Sequence, residues 1–267
     1  EPAREHLERA RSLLHESGAV PGLSNRVAAR TTRNVALAFE EAAGFFPRSS
    51  RPRTVGMPLD PSIARLDRPS LRREARDSFD LPADSKVLLV LGGSLGAIRL
   101  NGVGVDLASR WSERRDLRIL MKTGARHVQA VQAELERRGV SDVARCVPFI
   151  DRMELAYAAA DVALCRAGAG TVAELAAVGL PSILVPYPHA TRDHQTMNAR
   201  PLERVGGAVI VPDAEADADR IGAIAEKLLG DEGHLTRMSS DAKRLARPSA
   251  ADDLAAWVLD LAGTTRA

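Results

Sequence analysis

The stretch Lys86-Val87-Leu88-Leu89-Val90-Leu91-Gly92-Gly93-Ser94-Leu95-Gly96-Ala97 decides the fold. After its leading lysine the run is continuously apolar rather than alternating, the pattern of a strand covered on both faces of a parallel sheet. It stops at a glycine cluster. Beyond the cluster Ala97, Leu100, Val103, Leu107, Ala108 and Trp111 recur at helical spacing, which predicts a helix with one face against the sheet. The same grammar repeats downstream. Strands are predicted at Leu117–Met121, Ala144–Pro148, Asp161–Cys165, Ser182–Pro186 and Ala208–Val211. Helices fit between them at about Arg126–Arg138, Arg152–Ala159, Thr171–Val178 and Gln195–Val205. Such alternation specifies an α/β protein with a Rossmann-like, doubly wound parallel sheet. Further helices are predicted over Arg220–Leu229, Glu232–Leu245 and Ala250–Leu261, the last with Leu254, Trp257, Val258 and Leu261 on one face.

Working outward, residues 86–246 read as the Rossmann-like domain, and 247–267 as a C-terminal helix docking back toward the N-terminal part. Residues 1–58 hold a helix-like Arg4–Leu14 and a second piece over Leu23–Ala38, a partial N-terminal domain. Pro58, Pro61, Pro69 and Pro82, with the charged run Arg72-Arg73-Glu74, make 59–85 read as a linker with one short helix.

Composition narrows the function. Lys+Arg 37 against Asp+Glu 35 leaves a net charge of +2, and aromatics are 3%. Nucleic-acid binding needs clustered cations interleaved with stacking rings, so that partner is not expected. Cys146 and Cys165 stand far apart in strand-like surroundings and are expected reduced and buried, not in a disulfide or zinc site. No apolar run approaches the ~18 residues of a membrane-spanning helix, and no signal peptide is visible. The expectation is a cytoplasmic protein, with peripheral contact at the inner face of the cell membrane possible.

Ligands of open α/β sheets bind beyond the carboxyl ends of the strands, so the loops there carry the chemistry. Gly92–Gly96 is a glycine-rich turn opening a helix, where bare N–H groups and the helix dipole favour a diphosphate. It lacks the Gly-Lys-Ser/Thr of a P-loop and the GxGxxG spacing of a dinucleotide fold. The second loop runs Cys165-Arg166-Ala167-Gly168-Ala169-Gly170-Thr171-Val172-Ala173-Glu174. Glu174 lies where a carboxylate could bind a ribose diol, although Thr171 and Glu174 also fit a capping box. The third, Pro186–Ala199, is polar, with Asp193 suited to cap the following helix. Asp217-Ala218-Asp219 spells a DxD metal motif but falls at a predicted helix start, where aspartates cap, and no metal is expected.

Together GGSLGAIRLN, CRAGAGTVAELAAVGLPSILVPYP and DHQTMNA resemble the MurG-type glycosyltransferases, which have the GT-B fold. The spacing and order match from about Lys86 to the C-terminus, and Ala19–Arg26 and Val55–Pro58 resemble that family's N-terminal domain end and domain junction. The resemblance implies a UDP-sugar donor, most simply UDP-GlcNAc, used as substrate with no cofactor, and a lipid-linked or glycolipid acceptor. It places Gly93, Ser94 and Gly96 at the diphosphate, and Ile150 at uracil through its backbone. Ala169, Gly170 and Thr171 would line the donor phosphates and Glu174 would hold the ribose, with Arg166, His194 and Gln195 in the same donor site. The family's usual candidate base belongs to an N-terminal glycine-rich loop that these residues do not include, so no catalytic residue is assigned. The pattern HEQN reads His15-Glu16-Ser17-Gly18, and GNPVR reads Gly56-Met57-Pro58-Leu59-Asp60. These departures leave room for a relative acting on a phosphoglycolipid. The short N-terminal region leaves room for a sugar-nucleotide-binding half-enzyme with a partner chain. Phe45-Phe46-Pro47-Arg48, with Arg51 and Arg53, suits either a membrane interface or a loop packed on the N-terminal core.

Overall fold

The computed structural model describes residues 12–92 and 97–263. Chain contacts divide it into two units: residues up to Asp60 together with those from Arg247 onward, and Pro61–Ala246.

In the first unit β1 (Leu14–Glu16), β2 (Val35–Leu37) and β3 (Arg53–Thr54) form a parallel sheet in that order. Helix α1 (Leu23–Ala28) joins β1 to β2. The helix expected over 23–38 therefore stops early. Thr32 Oγ1 and Asn34 Nδ2 both donate to the Ser12 carbonyl, at 2.7 and 3.2 Å, and short polar side chains that bond to backbone in this way favour turns over helix. The wholly buried Val35-Ala36-Leu37 then continues as strand and packs with Ala29, Ala42 and Phe46. Leu14, expected to end a helix, belongs to β1; residues 4–11 of that expectation lie outside the described residues.

The second unit opens with α2 (Pro61–Ala64) and α3 (Arg68–Ser78). Six parallel strands follow: β4 (Lys86–Leu91), β5 (Leu117–Lys122), β6 (Ala144–Val147), β7 (Val162–Cys165), β8 (Ser182–Leu184) and β9 (Ala208–Ile210), in the order β6-β5-β4-β7-β8-β9. Between and after them run α4 (Ala97–Arg110), α5 (Val128–Arg137), α6 (Met153–Ala159), α7 (Ala169–Val178), α8 (His194–Arg204), α9 (Ala218–Leu229) and α10 (Glu232–Lys243). The core is aliphatic, with β4 buried from Val87 to Leu91, and Leu100, Val103, Leu107, Ala108 and Trp111 of α4 and its end buried beside it.

Residues 61–85, expected as linker, are built into this unit. Asp161, just before β7, accepts from the Val87 amide (2.8 Å), from Arg72 (2.7 Å) and from the buried Arg76 (3.2 Å). Arg68 is half-buried: its guanidinium donates to the carbonyls of Tyr157 (3.0 Å), Ala160 and Gly179 (2.9 Å), the ends of α6 and α7. Helix ends leave such carbonyls without internal partners, and a planar fork of donors can satisfy several at once. The charged run is thus a brace. Asp217 caps α9 through the Arg220 amide at 2.8 Å.

The last helix, α11 (Ala250–Leu261), belongs to the first unit, where the Arg53 guanidinium stacks over the Trp257 ring at 4.6 Å. Gly56, at φ +100, also lies there; a Cβ at this position would come within 2.4 Å of Arg247 Cβ, so only glycine fits.

Candidate functional site

The sheet reverses direction between β4 and β7, since β5 and β6 lie on one side of β4 and β8 and β9 beyond β7. A crevice at the carboxyl ends of such a pair is where doubly wound sheets take ligands. Of the loop after β4, Gly93, Ser94 and Gly96 lie outside the described residues.

The β7–α7 loop supplies one wall of that crevice. Gly168 is the N-cap and α7 begins at Ala169, so Ala169, Gly170 and Thr171 are its first three residues. The first helical bond runs from the Val172 amide to the Gly168 carbonyl at 2.9 Å, which leaves the three preceding amides without helical acceptors. A Cβ on Gly170 would meet nothing within 4 Å, and one on Gly168 only Thr171 Oγ1 at 3.7 Å. Packing does not require these glycines; they leave the helix start bare. Thr171 is inside the helix, not at its cap, so no capping box forms. The Glu174 carboxylate instead accepts from the Tyr157 hydroxyl at 2.6 Å. Burial, with the Glu174 charge second, pushes the Cys165 thiol up to about 12, and raises the Tyr157 phenol well above its usual range. Cys165 is buried and Cys146 partly buried, both free.

Arg166, assigned with the donor-binding loop, turns into the protein. Its guanidinium is buried 2.5 Å from Asp213 and donates to the Val185 and Pro186 carbonyls at 3.1 and 3.4 Å. A buried cation needs such acceptors. Arg166 thereby ties the ends of β8 and β9 to β7.

One peptide in this wall is gripped from both sides. The Ala167 amide donates to Gln195 Oε1 (3.1 Å), and the Ala167 carbonyl accepts from Asn198 Nδ2 (3.2 Å). Gln195 Oε1 also takes the Tyr187 amide at 2.9 Å, joining the β7 and β8 loops. Since that oxygen faces two N–H donors, what Gln195 can offer a ligand is its NH2 group. Neighbouring His194 donates from Nδ1 to the Thr191 carbonyl at 2.9 Å, which leaves Nε2 to accept from another partner. Two consecutive non-glycine residues, Arg192 (φ 56) and Asp193 (φ 54), hold the left-handed conformation just before α8. Backbone strain of this kind concentrates at functional sites. Asp193 occupies the cap position, yet its carboxylate takes the Thr196 hydroxyl at 2.6 Å and caps no backbone amide.

Ile150 follows β6 at the far edge of the same carboxyl rim, with β5 and β4 between it and β7. Its side chain is buried, and among the described residues its own amide and carbonyl have no partner, so both remain for an edge-on ligand. Phe149 beside it is exposed, with Lys122 Nζ 5.3 Å from the ring centroid. The structure thus gathers Ala169, Gly170, Thr171, Glu174, His194 and Gln195 around the β7 and β8 ends, sets Ile150 apart on the rim, and commits Arg166 to the scaffold. Tyr157 and Asn198 escaped the reading of the sequence. The first sits in an alanine-rich helix that reads as plain core, and the second could have been found only as a partner of the DHQ residues one turn before it.

The model of the glycosyltransferase family 28 C-terminal domain matches residues 87–254. The chain is 41% identical over 250 residues to the UDP-N-acetylglucosamine–N-acetylmuramyl-(pentapeptide) pyrophosphoryl-undecaprenol N-acetylglucosamine transferase of Shewanella amazonensis, covering 94% of this chain and 66% of that protein. The enzyme of the same name from Salinibacter ruber is 40% identical, with 95% and 66% covered. Among solved structures, MurG of Acinetobacter baumannii superposes with a TM-score of 0.73 at 29% identity, covering 97% of this chain and 70% of that one. The chain therefore spans about two thirds of the length of the curated relatives it matches. With a bare helix start, a carboxylate one turn behind it and the family's domain matched across most of the second unit, the chain belongs to glycosyltransferase family 28.

Proposed function

We propose that the 61–246 unit binds UDP-N-acetylglucosamine as the donor for an inverting, metal-independent transfer to a lipid-linked muramyl-pentapeptide acceptor. The activity for which the relatives are named supports the substrates. The observation that carries the reading is the α7 start, where three bare amides precede a carboxylate held by Tyr157. An acceptor hydroxyl attacks the anomeric carbon; the new C–O bond forms as the bond to the diphosphate breaks, and UDP leaves with the electron pair. The amides of Ala169, Gly170 and Thr171, the α7 dipole and the Gly92–Gly96 loop offset the charge that grows on the leaving diphosphate. Ile150 reads uracil through its peptide groups, Glu174 accepts from the ribose hydroxyls, and Gln195 NH2 and His194 Nε2 meet the sugar. The proton goes to a base that these residues do not assign. The UDP-sugar is a substrate, and no cofactor is required.

The acceptor's lipid suggests contact with the inner membrane face. Among the described residues no helix is long and apolar enough to cross a membrane. In the first unit Leu23 (65% exposed), Val27 (53%) and Phe45 (42%) form an apolar surface around a depression also lined by Arg26 and Arg30. Apolar side chains ringed by arginines suit entry into an anionic headgroup layer.

Calorimetric titration with UDP, UDP-GlcNAc and UDP-glucuronic acid tests the donor. UDP and UDP-GlcNAc are expected to bind, and the glucuronate to bind more weakly. Absence of heat with all three overturns the reading.

A further inference from the structure

We propose that Tyr157 is a positioning residue for donor binding: its core-held hydroxyl fixes the Glu174 carboxylate so that one oxygen is presented to the vicinal hydroxyls of the nucleotide ribose. The inference rests on the reading of Glu174 as the ribose ligand. Three observations carry it. The phenol is buried and its hydroxyl donates to Glu174 Oε2 at 2.6 Å, whereas Oε1 has no partner among the described residues. Tyr157 is itself anchored, because its carbonyl accepts from Arg68 Nε at 3.0 Å and its neighbours on α6 are buried. Among the described residues no salt bridge joins Glu174 to a cation, and Tyr157 is its hydrogen-bond partner there.

The physical consequence concerns freedom. An exposed glutamate samples many rotamers and loses them when it grips a ligand. Here α6 and α7 share one bond that restricts Glu174 in advance, so ligand binding costs less ordering. Bonding to one oxygen also leaves the other to accept from a diol, with its direction set.

The test pairs protein variants with ligand variants, using titration calorimetry on the whole chain with UDP and 2′,3′-dideoxy-UDP. In Tyr157→Phe, UDP should bind about tenfold more weakly, the scale of one lost hydrogen bond to a charged group. Affinity for the dideoxy ligand should stay at the parent's value, a separation that a merely structural role would not produce. In a Glu174→Gln background the added Tyr157→Phe change should cost little further UDP affinity. Equal losses for both ligands, or parent-like UDP binding by a folded Tyr157→Phe protein, overturn the positioning role while leaving Glu174 as ribose ligand. Parent-like UDP binding by Glu174→Gln instead overturns that underlying reading, and the inference with it. If Tyr157→Phe does not fold, the parent and Glu174→Asp decide between the outcomes. Shortening the side chain draws it away from Tyr157, and should cost UDP affinity but spare the dideoxy ligand; equal losses contradict the proposal.

Discussion

Gln195 serves two loops with one oxygen, and its two ends have separable roles. Oε1 accepts from the Ala167 and Tyr187 amides, so Gln195→Met would strand two partly buried donors and lower stability by about 1–3 kcal/mol. Gln195→Glu keeps an acceptor there but removes the NH2 donor and adds a negative charge. Thermal unfolding should show a clear loss for Met and a small one for Glu. UDP-GlcNAc titration should show weakened binding in both. Equal stability losses would mean that the oxygen is not what holds the loops. At this scale the sequence was partly legible. Glycine spacing pointed to the α7 start, and Glu174 followed from its place one turn on. Arg166 misled because its partner, Asp213, lies far along the chain, and one cation in a glycine-rich loop looks ready for phosphate whether it turns outward or inward. Tyr157 was silent for a related reason: a buried hydroxyl is visible as a tether only when the helix beside it is known.

Among elements, α3 shows what periodicity misses. Expected within a linker, this helix instead sets the half-buried Arg68 against three carbonyls at the ends of α6 and α7. Burial lowers its pKa to about 10, still far above neutral, so it remains a cation with all its donors. Arg68→Ala should destabilise the chain by about 2–4 kcal/mol in denaturant unfolding, and Arg68→Lys should recover little, because an ammonium cannot span the three acceptors. A full rescue by lysine would contradict the capping role. The helices that Arg68 closes carry Tyr157 and Glu174, so the brace and the donor site share elements. Strands β4 and β7 were readable because a two-face-buried strand is a continuous apolar run, and the predicted limits of β4–β9 fall within a residue or two. The Leu23–Ala38 helix was over-read, since Val35-Ala36-Leu37 is too short a run to separate strand from helix by period alone.

At the scale of the whole chain, two compact units form, and α11 belongs to the first with the strands β1–β3. The adjacent Phe45 and Phe46 divide the alternatives that their sequence left open. Phe46 is 7% exposed and packs with Val35 and Leu37, whereas Phe45 is exposed. Phe46→Ser should destabilise the first unit by about 3–5 kcal/mol, the scale of emptying an aromatic site. Phe45→Ser should leave the melting temperature in place but reduce flotation with anionic vesicles, and neutral vesicles should bind less in every case. Undiminished flotation of Phe45→Ser would remove this surface from the membrane reading. Amide hydrogen exchange with and without UDP reads out where the donor binds. UDP should protect the amides over 166–172 and at Ile150 and leave residues 14–54 unchanged. Binding of UDP that leaves 166–172 unprotected, or that protects the first unit instead, would contradict that placement.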